Sequence, residues 1–218
     1  MKTYADLIVD TENTWDYRED DNSFYVDTKY VGDEKVEYKI IFGSEKIVFI
    51  KVGAGGSVRG FENKYIRMAQ RIHKRLGATV ICASNPDVPH EMIDEEEIRW
   101  VVSERALSNF EIYFIGTSDG AYHNLSLAKR FHETVKIIGI NTSYIDISDL
   151  EKRLLALQSV CKILIYGTED DDFHEVVPAL SKMDCSNFTI KIVDGADHSF
   201  TGMTDEFIAL ADKEIEAI

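Results

Sequence analysis

The chain has 218 residues, a formal net charge of −15 at pH 7 and a hydrophobic fraction of 44%. This length suits a globular domain that buries roughly 70% of the surface of its unfolded chain. The acidic excess argues against nucleic acid as a partner, because contacts with phosphates require clustered Lys and Arg. We expect no membrane span, since no stretch reaches the ~20 apolar residues that cross a bilayer.

Cysteine usage and the N-terminal sequence indicate the compartment. The three cysteines, Cys82, Cys161 and Cys185, are sparse, and no two of them have the spacing of metal ligands. Cys82 and Cys161 lie within or at the edge of apolar runs, where a free thiol acts as a small hydrophobic group. Residues 1–6 lack the long apolar core of a secretory signal. We therefore expect a cytoplasmic protein, whose assembly into a homo-oligomer the sequence leaves open.

The first part of the chain predicts antiparallel structure. Residues 1–22 are polar, acidic and weakly patterned, which is typical of an extended edge segment or a mobile arm. From residue 23 to residue 42, apolar and polar side chains alternate on either side of the turn-forming residues 32–34. Alternation with a period of two predicts an antiparallel hairpin with one solvated face.

The rest of the chain alternates between continuous apolar runs and helical patterns. Runs without polar alternation are typical of parallel strands that are covered on both faces. The apolar runs cover residues 46–51, 79–83, 112–115, 135–140, 163–166 and 188–193. Apolar residues at helical spacing predict helices within residues 61–76, 98–110, 125–131, 176–180 and 207–218.

This order predicts an α/β fold with a doubly wound, mostly parallel central sheet, helices on both faces and an N-terminal antiparallel hairpin. No repeat, low-complexity tract or linker interrupts the pattern, so we expect residues 1–218 to form a single domain. In such sheets, ligands bind at the carboxyl ends of the strands. The polar or glycine-rich segments that follow predicted strands are residues 53–57, 116–120, 167–172 and 195–199.

The second of these segments is the most specific motif. It reads Gly-Thr-Ser-Asp-Gly from Gly116 to Gly120, directly after an apolar strand, with Ser118 at its centre. A sharp strand-to-helix turn presents such a serine at the top of a sheet, and glycines fit where a Cβ would collide with backbone. The following helix points its first N–H groups at the same place, where an oxyanion would be stabilised. The alternative interpretation is an ordinary turn with an incidental serine.

A serine nucleophile needs a base within hydrogen-bond reach and an acid that orients the base. His198 follows the last predicted strand, and Asp170 follows the strand before it. Both loops open at the edge of the sheet that carries Ser118, in the chain order Ser, Asp, His. Asp171 and Asp172 are alternative acids, and a solvated loop histidine is the alternative interpretation of His198.

The remaining histidines have no comparable partner in the sequence. We therefore expect His73, His90, His123, His132 and His174 at the surface. The acidic residues 170–172 with His174 suggest a metal loop as an alternative, but their spacing matches no known metal site, so we predict no metal.

Taken together, these motifs make the chain similar to the α/β-hydrolases, over roughly residues 46–218. The resemblance is carried by the glycine-rich residues 53–56 and by residues 116–120, 167–170 and 195–200. It implies a small serine esterase without a large lid, with Ser118 as nucleophile, His198 as base and Asp170 as the orienting acid. It implies no cofactor.

The resemblance also implies an oxyanion hole formed by two backbone N–H groups. One belongs to Asp119, and the other belongs to the turn at residues 53–56, at Ala54. The chain departs from the family at Val52, since many members carry His immediately before the first glycine of this turn. Backbone donors do not require that histidine.

The expected substrate is a small-molecule ester or acyl compound. The connection at residues 142–150 is too short for a large lid, which suits an open site. Candidate apolar walls are Trp100, Tyr122, Tyr144 and Phe200, with core packing as the alternative for each. We expect hydrolysis of carboxylic esters through an acyl-enzyme intermediate. The alternatives are a thioesterase or acyltransferase with the same triad, and a non-catalytic binding protein with the hydrolase fold.

Overall fold

The computed structural model describes residues 8–16 and 24–216. The strands are β1 (Ile8–Asp16), β2 (Phe24–Val31), β3 (Glu34–Ile41), β4 (Ser44–Lys51), β5 (Ala78–Ala83), β6 (Glu111–Thr117), β7 (Thr134–Ile140), β8 (Cys161–Gly167) and β9 (Phe188–Val193). The helices are α1 (Lys64–Leu76), α2 (Glu91–Glu104), α3 (Asp119–Leu127), α4 (Ile147–Leu155), α5 (Phe173–Leu180) and α6 (Thr204–Glu216). None of these described helices combines the length and apolar character that crossing a bilayer requires.

The described strands form one nine-stranded sheet in the order β1-β2-β3-β5-β4-β6-β7-β8-β9. Pairing is parallel from β5 to β9 and antiparallel among β1, β2, β3 and β5. The chain crosses from β4 to β5 on one side and then returns to place β6 on the other side of β4. The carboxyl ends of β4 and β6 therefore flank the point where the winding direction reverses, which is where such sheets bind ligands. The predicted fold class is confirmed.

Two helical layers cover the sheet, and the continuous apolar runs supply both of its faces. Helices α1 and α6 cover one face, and α2, α3, α4 and α5 cover the other. On the central strand β4, Val48 and Ile50 face α1 and α6, whereas Ile47 and Phe49 face the opposite layer. Successive side chains of a strand point to opposite faces, so a strand buried on both sides is apolar throughout.

The predicted N-terminal hairpin is confirmed. Strands β2 and β3 pair in antiparallel register around a turn that contains Gly32, whose φ of 63° favours glycine. Within the predicted edge segment, residues 8–16 form β1 at the edge of the sheet. Residues 1–7 and 17–22 of that segment lie outside the described residues, as does Ile218 of the last predicted helix.

Two predicted elements are wrong in part. The helical stripe at residues 98–110 extends too far, because α2 ends at Glu104 and the chain turns at Ala106 with a φ of 48°. The expectation that strands are covered on both faces fails for β9, where Ile192 is 55% exposed. Strand β9 pairs only with β8 among the described strands, and edge strands are covered less completely than central ones.

The aromatic side chain of Phe114 gives a stability test of the central core. Phe114 is fully buried on β6, with its ring centroid 5.9 Å from that of Phe49 and 6.3 Å from that of Phe131. We expect Phe114→Ala to lower the free energy of unfolding by about 3–5 kcal/mol, because it leaves a cavity. Ile145→Ala, at a side chain that is 80% exposed, is the control and changes it by less than about 0.5 kcal/mol. Equal denaturant midpoints for the two variants would contradict this assignment of the core.

Candidate active site

Ser118 lies at a sharp turn between β6 and α3. Its φ of 54° and ψ of −126° are sparsely populated for a residue with a side chain. The turn is fixed by a hydrogen bond from the Ser118 N–H to the Ile140 carbonyl, 2.9 Å long. This is the strained backbone that a nucleophile elbow requires, and it places the hydroxyl at the carboxyl end of the sheet.

The two glycines of the motif allow a close backbone approach. A Cβ on Gly120 would lie 2.2 Å from the Val52 carbonyl oxygen, and a Cβ on Gly116 would lie 2.3 Å from Ala121 Cα. Both distances are far below van der Waals contact, so only glycine fits at either position. The close packing of α3 against β4 and β6 depends on this pair.

The glycine-rich turn after β4 passes directly beside the serine. A Cβ on Gly53 would lie 3.3 Å from Ser118 Cβ and 3.9 Å from Ser118 Oγ. Ala54 follows Gly53, and Asp119 is the first residue of α3, where the N–H groups have no partner within the helix. The two predicted oxyanion donors, Ala54 and Asp119, therefore belong to segments on either side of the Ser118 hydroxyl.

Asn85 connects these two segments, although no motif in the sequence marks it. Its side-chain amide lies 3.0 Å from the Val52 carbonyl and 3.0 Å from Asp119 Oδ2, and it donates to both. The backbone carbonyl of Asn85 accepts a hydrogen bond of 2.7 Å from the Gly55 N–H. Asn85 is 2% exposed, so these bonds are shielded from water. The loop after β5 thus fixes the turn after β4 relative to the start of α3.

The three predicted triad residues meet in the structure. His198 Nε2 lies 3.0 Å from Ser118 Oγ, and His198 Nδ1 lies 2.7 Å from Asp170 Oδ2. An ionised carboxylate only accepts hydrogen bonds, so the Nδ1 of the neutral ring carries the proton and Nε2 presents its lone pair to the hydroxyl. The side chain of His198 is 47% exposed, which leaves its imidazole accessible from solvent.

Of the three consecutive candidate acids, Asp170 is the one that contacts His198. Asp170 is 3% exposed, and its second carboxylate oxygen accepts a hydrogen bond of 2.9 Å from the Asp172 N–H. Asp171 is exposed and Asp172 is half-buried. Burial and the neighbouring Asp170 charge raise the pKa of Asp172. Within the acidic loop, only the first carboxylate is oriented towards the imidazole by two directional contacts.

Asn141 holds the histidine loop, and its role was also missed in the sequence. Its side-chain amide donates to the carbonyls of Asp197 and His198, each at 3.1 Å, and its Oδ1 accepts from the Gly167 N–H at 2.9 Å. Asn141 is 1% exposed and adopts a positive φ of 44°. The end of β7 thereby fixes the loops after both β8 and β9.

Two cavities lie on either side of the Ser118 turn. One of about 330 Å³ is lined by Ser118 and His198 together with residues the sequence did not assign to the site, namely Phe61, Lys64, Tyr65 and Ser199. The other, of about 300 Å³, is lined by Asp119 with Asn85, Tyr122, His90, His123 and Arg153. Both are in the size range of small-molecule sites.

The four predicted substrate-binding residues lie in different surroundings. Trp100 does not line either cavity. It stacks on Tyr25 with 5.3 Å between ring centroids and packs against the core beside the antiparallel strands, as the alternative of core packing predicts. Phe200 does not line either cavity, is 1% exposed and packs on Phe207, which again fits core packing. Tyr122 lines the cavity beside Asp119. Tyr144 is half-buried near the acidic loop, where burial and the Asp172 charge raise its pKa.

A buried polar network lies beneath the site, and it contradicts the expectation that His90 and His123 are at the surface. Asp94 on α2 is its centre, with Oδ2 at 2.7 Å from Lys51 Nζ and 2.7 Å from His123 Nε2. The Tyr38 hydroxyl donates to Asp94 Oδ1 at 2.8 Å. Burial raises the pKa of the Asp94 carboxyl, but the Lys51 charge and His123 outweigh burial and hold it below its ordinary value.

The same network is the group of described residues that most resembles a metal site. The potential ligand atoms of His90, Asp94 and His123 lie within 4.8 Å of one another. However, the Lys51 ammonium contacts the Asp94 oxygen that a cation would bind, and it also donates to the Ser84 carbonyl at 2.7 Å. Burial lowers the pKa of His90 to about 4, so its ring is neutral at pH 7. With one anion and one cation, these residues fit a charge-balanced network better than a metal centre.

Comparisons with known proteins identify the fold. No protein-family model matches the chain, and no curated protein matches it by sequence. Among solved structures, an α/β serine hydrolase homologue from Coxiella burnetii matches with 15% identity and a TM-score of 0.65, covering 94% of this chain and 97% of its own. A dienelactone hydrolase from Anabaena variabilis matches with 18% identity and a TM-score of 0.63, covering 87% and 95%.

A third structure, the esterase domain of a Rhodothermus marinus protein, matches with 11% identity and a TM-score of 0.62, covering 96% of this chain and 97% of its own. These likenesses extend over nearly the full length of both partners. The chain has the α/β-hydrolase fold.

The buried Lys51–Asp94 pair provides a test of the network. Both side chains are fully buried, so Asp94→Ala leaves an uncompensated ammonium inside the protein. We expect a loss of about 3–5 kcal/mol in the free energy of unfolding, measured by urea denaturation. The control, Asp205→Ala, removes an exposed carboxylate paired with Arg67 and costs less than about 1 kcal/mol. If Asp94→Ala lowers the free energy of unfolding no more than Asp205→Ala does, the network does not stabilise the fold.

Proposed function

We propose that this chain with the α/β-hydrolase fold is a serine hydrolase that cleaves carboxylic esters of small molecules through an acyl-enzyme intermediate. The observation that carries the proposal is the continuous hydrogen-bonded line from the Ser118 hydroxyl through His198 to Asp170, with distances of 3.0 Å and 2.7 Å. In this proposal Ser118 is the nucleophile, His198 the general base and acid, and Asp170 the residue that orients His198.

Acylation begins when Ser118 Oγ attacks the carbonyl carbon of the ester. The hydroxyl proton moves to His198 Nε2 as the new C–O bond forms, and the imidazolium is stabilised by the Asp170 carboxylate, which remains ionised. The tetrahedral intermediate then collapses and breaks the bond to the leaving alcohol, which takes the proton from Nε2. The products of this half-reaction are the alcohol and an acyl group on Ser118.

The negative charge of the intermediate needs donors that are already in place. The N–H groups of Ala54 and Asp119 are the proposed pair, since Gly53 passes beside Ser118 and Asp119 begins α3. The positive end of the α3 dipole adds to their field. Removing one such donor typically costs roughly 3 kcal/mol of transition-state stabilisation. Asn85 supports both donor segments, so it is proposed as a positioning residue.

Deacylation repeats the chemistry with water. The 47% exposure of the His198 side chain allows a water molecule to reach Nε2. Nε2 takes a proton from this water as the water oxygen attacks the acyl carbon. Collapse of the second intermediate releases the acid and returns the proton to Ser118 Oγ. The proposed cycle therefore consumes one ester and one water molecule and leaves Ser118 and His198 in their starting states.

The geometry supports an enzyme over a non-catalytic binding protein. A binding protein with a degenerate site would separate the hydroxyl from the imidazole, whereas here Ser118 Oγ and His198 Nε2 are 3.0 Å apart. Esters are proposed ahead of thioesters because similar structures include an esterase domain and a dienelactone hydrolase. A thioesterase or acyltransferase would use the same triad with a different leaving group or acceptor.

We also propose a cytoplasmic location. All three cysteines, Cys82, Cys161 and Cys185, are free thiols. Disulfides are rare in reducing compartments, so unpaired cysteines are compatible with the cytoplasm.

Ser118→Ala tests the nucleophile. The variant keeps the fold but removes the attacking hydroxyl, so we expect kcat/KM for p-nitrophenyl acetate and butyrate to fall by at least about 10³-fold. Labelling by a fluorophosphonate probe should disappear in the same variant. Ser186→Ala, at an exposed serine before β9, is the control and retains both activities. A folded wild-type protein that neither reacts with the probe nor turns over any short ester would refute the proposal.

Asp170→Asn tests the orienting acid. An amide in place of the carboxylate favours the wrong histidine tautomer, so we expect kcat to fall by about 10⁴-fold with nearly unchanged KM. Asp171→Asn removes the same charge from an exposed neighbour and should change kcat by less than about threefold. Steady-state kinetics of p-nitrophenyl butyrate hydrolysis measures kcat for both variants. An equal loss of kcat in the two would mean that the total charge of the loop matters, and not the contact between Asp170 and His198.

A further inference from the structure

The ammonium of Lys64 is held in an unusual environment beside the proposed nucleophile. Lys64 opens α1, and the residue is 7% exposed. Its Nζ donates to the Ser199 carbonyl at 3.0 Å and lies 4.4 Å from the centroid of the Phe207 ring and 5.3 Å from that of Tyr65. A lysine ammonium has three N–H donors, and the single carbonyl uses one of them.

No carboxylate of the described residues lies within 4.0 Å of Lys64 Nζ. Two other buried lysines of this protein, Lys51 and Lys162, each make two polar contacts through Nζ. Lys51 has the Asp94 carboxylate and the Ser84 carbonyl, and Lys162 donates to two carbonyls, at 2.7 Å and 2.9 Å. Burial lowers the pKa of Lys64, which the charge of Asp197 opposes. A nearly buried cation that no carboxylate contacts directly is costly, and an anionic ligand would offset that cost.

The position of Lys64 indicates what such a ligand is. Lys64 lines the same cavity of about 330 Å³ as Ser118 and His198. Phe61, also at this cavity, is 69% exposed and offers an apolar surface close to the cation. The cavity thus combines an attacking hydroxyl, an apolar wall and one positive charge. With a net charge of −15, the protein as a whole repels polyanions, so a single carboxylate suits the site better than a polyphosphate.

We propose that Lys64 binds a carboxylate on the substrate, and that the natural substrates are esters of small molecules that carry one such anionic group. This inference rests on the proposed esterase activity and adds a substrate class to it. The carboxylate accepts hydrogen bonds from the two N–H donors that Ser199 leaves free. If the carboxylate belongs to the acyl half, the substrate is a half-ester of a dicarboxylic acid. If it belongs to the alcohol half, the substrate is an ester of a hydroxy acid.

Matched pairs of esters test the proposal and separate these two sources of the carboxylate. The acyl pair is mono-p-nitrophenyl glutarate and p-nitrophenyl pentanoate. The alcohol pair is the acetate ester of 3-hydroxybenzoate and that of 3-hydroxybenzamide. We expect Lys64→Met to lower kcat/KM for the charged member of at least one pair by about 10- to 100-fold, with less than about threefold change for its neutral partner. The pair that responds identifies the half that Lys64 contacts.

Two further variants separate the local contact from general charge effects. Lys64→Arg keeps the cation and should retain most of the preference for the charged ester. Lys74→Met removes an exposed lysine from the last turn of the same helix, and should leave both pairs unchanged. An equal loss on charged and neutral esters in Lys64→Met would overturn the proposal, because it would make Lys64 only a support of the histidine loop through Ser199. The absence of any loss would overturn it as well.

A binding measurement keeps this test independent of turnover. Calorimetric titration of the Ser118→Ala protein with glutarate should show binding that weakens at least about tenfold when Lys64→Met is added. If wild-type protein hydrolyses no ester but glutarate binding to Ser118→Ala still depends on Lys64, the proposed esterase activity is wrong and the anion site is supported. If esters are hydrolysed but the affinity for glutarate is the same with and without Lys64→Met, the anion site is wrong and the esterase activity is supported.

Discussion

The whole site depends on one close backbone contact, between the first turn of α3 and the end of β4. At Gly120 a Cβ would lie 2.2 Å from the Val52 carbonyl oxygen, so no other residue allows this approach. Because β4 and β6 are neighbours at the reversal of the sheet, the contact brings the turn after β4 against the Ser118 hydroxyl. The strained φ of 54° at Ser118 is maintained by packing on both sides.

Local sequence signals predicted most of the fold and the positions of the triad. Strands covered on both faces must be apolar throughout, so the runs that became β4 and β6 were visible without a structure. The triad was predictable because each member follows a parallel strand, and the carboxyl ends of such strands share one edge. Topology alone therefore brought Ser118, Asp170 and His198 together, although they are far apart in the chain.

The parts that sequence could not predict depend on partners distant in the chain. The side-chain amides of Asn85 and Asn141 each join two segments by hydrogen bonds, and no spacing in the sequence marks them. His123 looked like a surface residue because its partner, Asp94, is on another helix. Trp100 packs against the core and Phe200 lies within it, and both placements, like the burial of Lys64, are decided by tertiary contacts. Polar residues that hold the loops of a site are thus harder to predict than the members of the proposed triad.

The most direct test of the central claim is a crystal structure of the protein after reaction with a small phosphonate ester, a mimic of the tetrahedral intermediate. We expect a covalent bond from phosphorus to Ser118 Oγ and one phosphonyl oxygen within about 3 Å of the N–H groups of both Ala54 and Asp119. His198 should remain hydrogen-bonded to Asp170. An adduct on another residue, or a phosphonyl oxygen directed away from both amides, would contradict it.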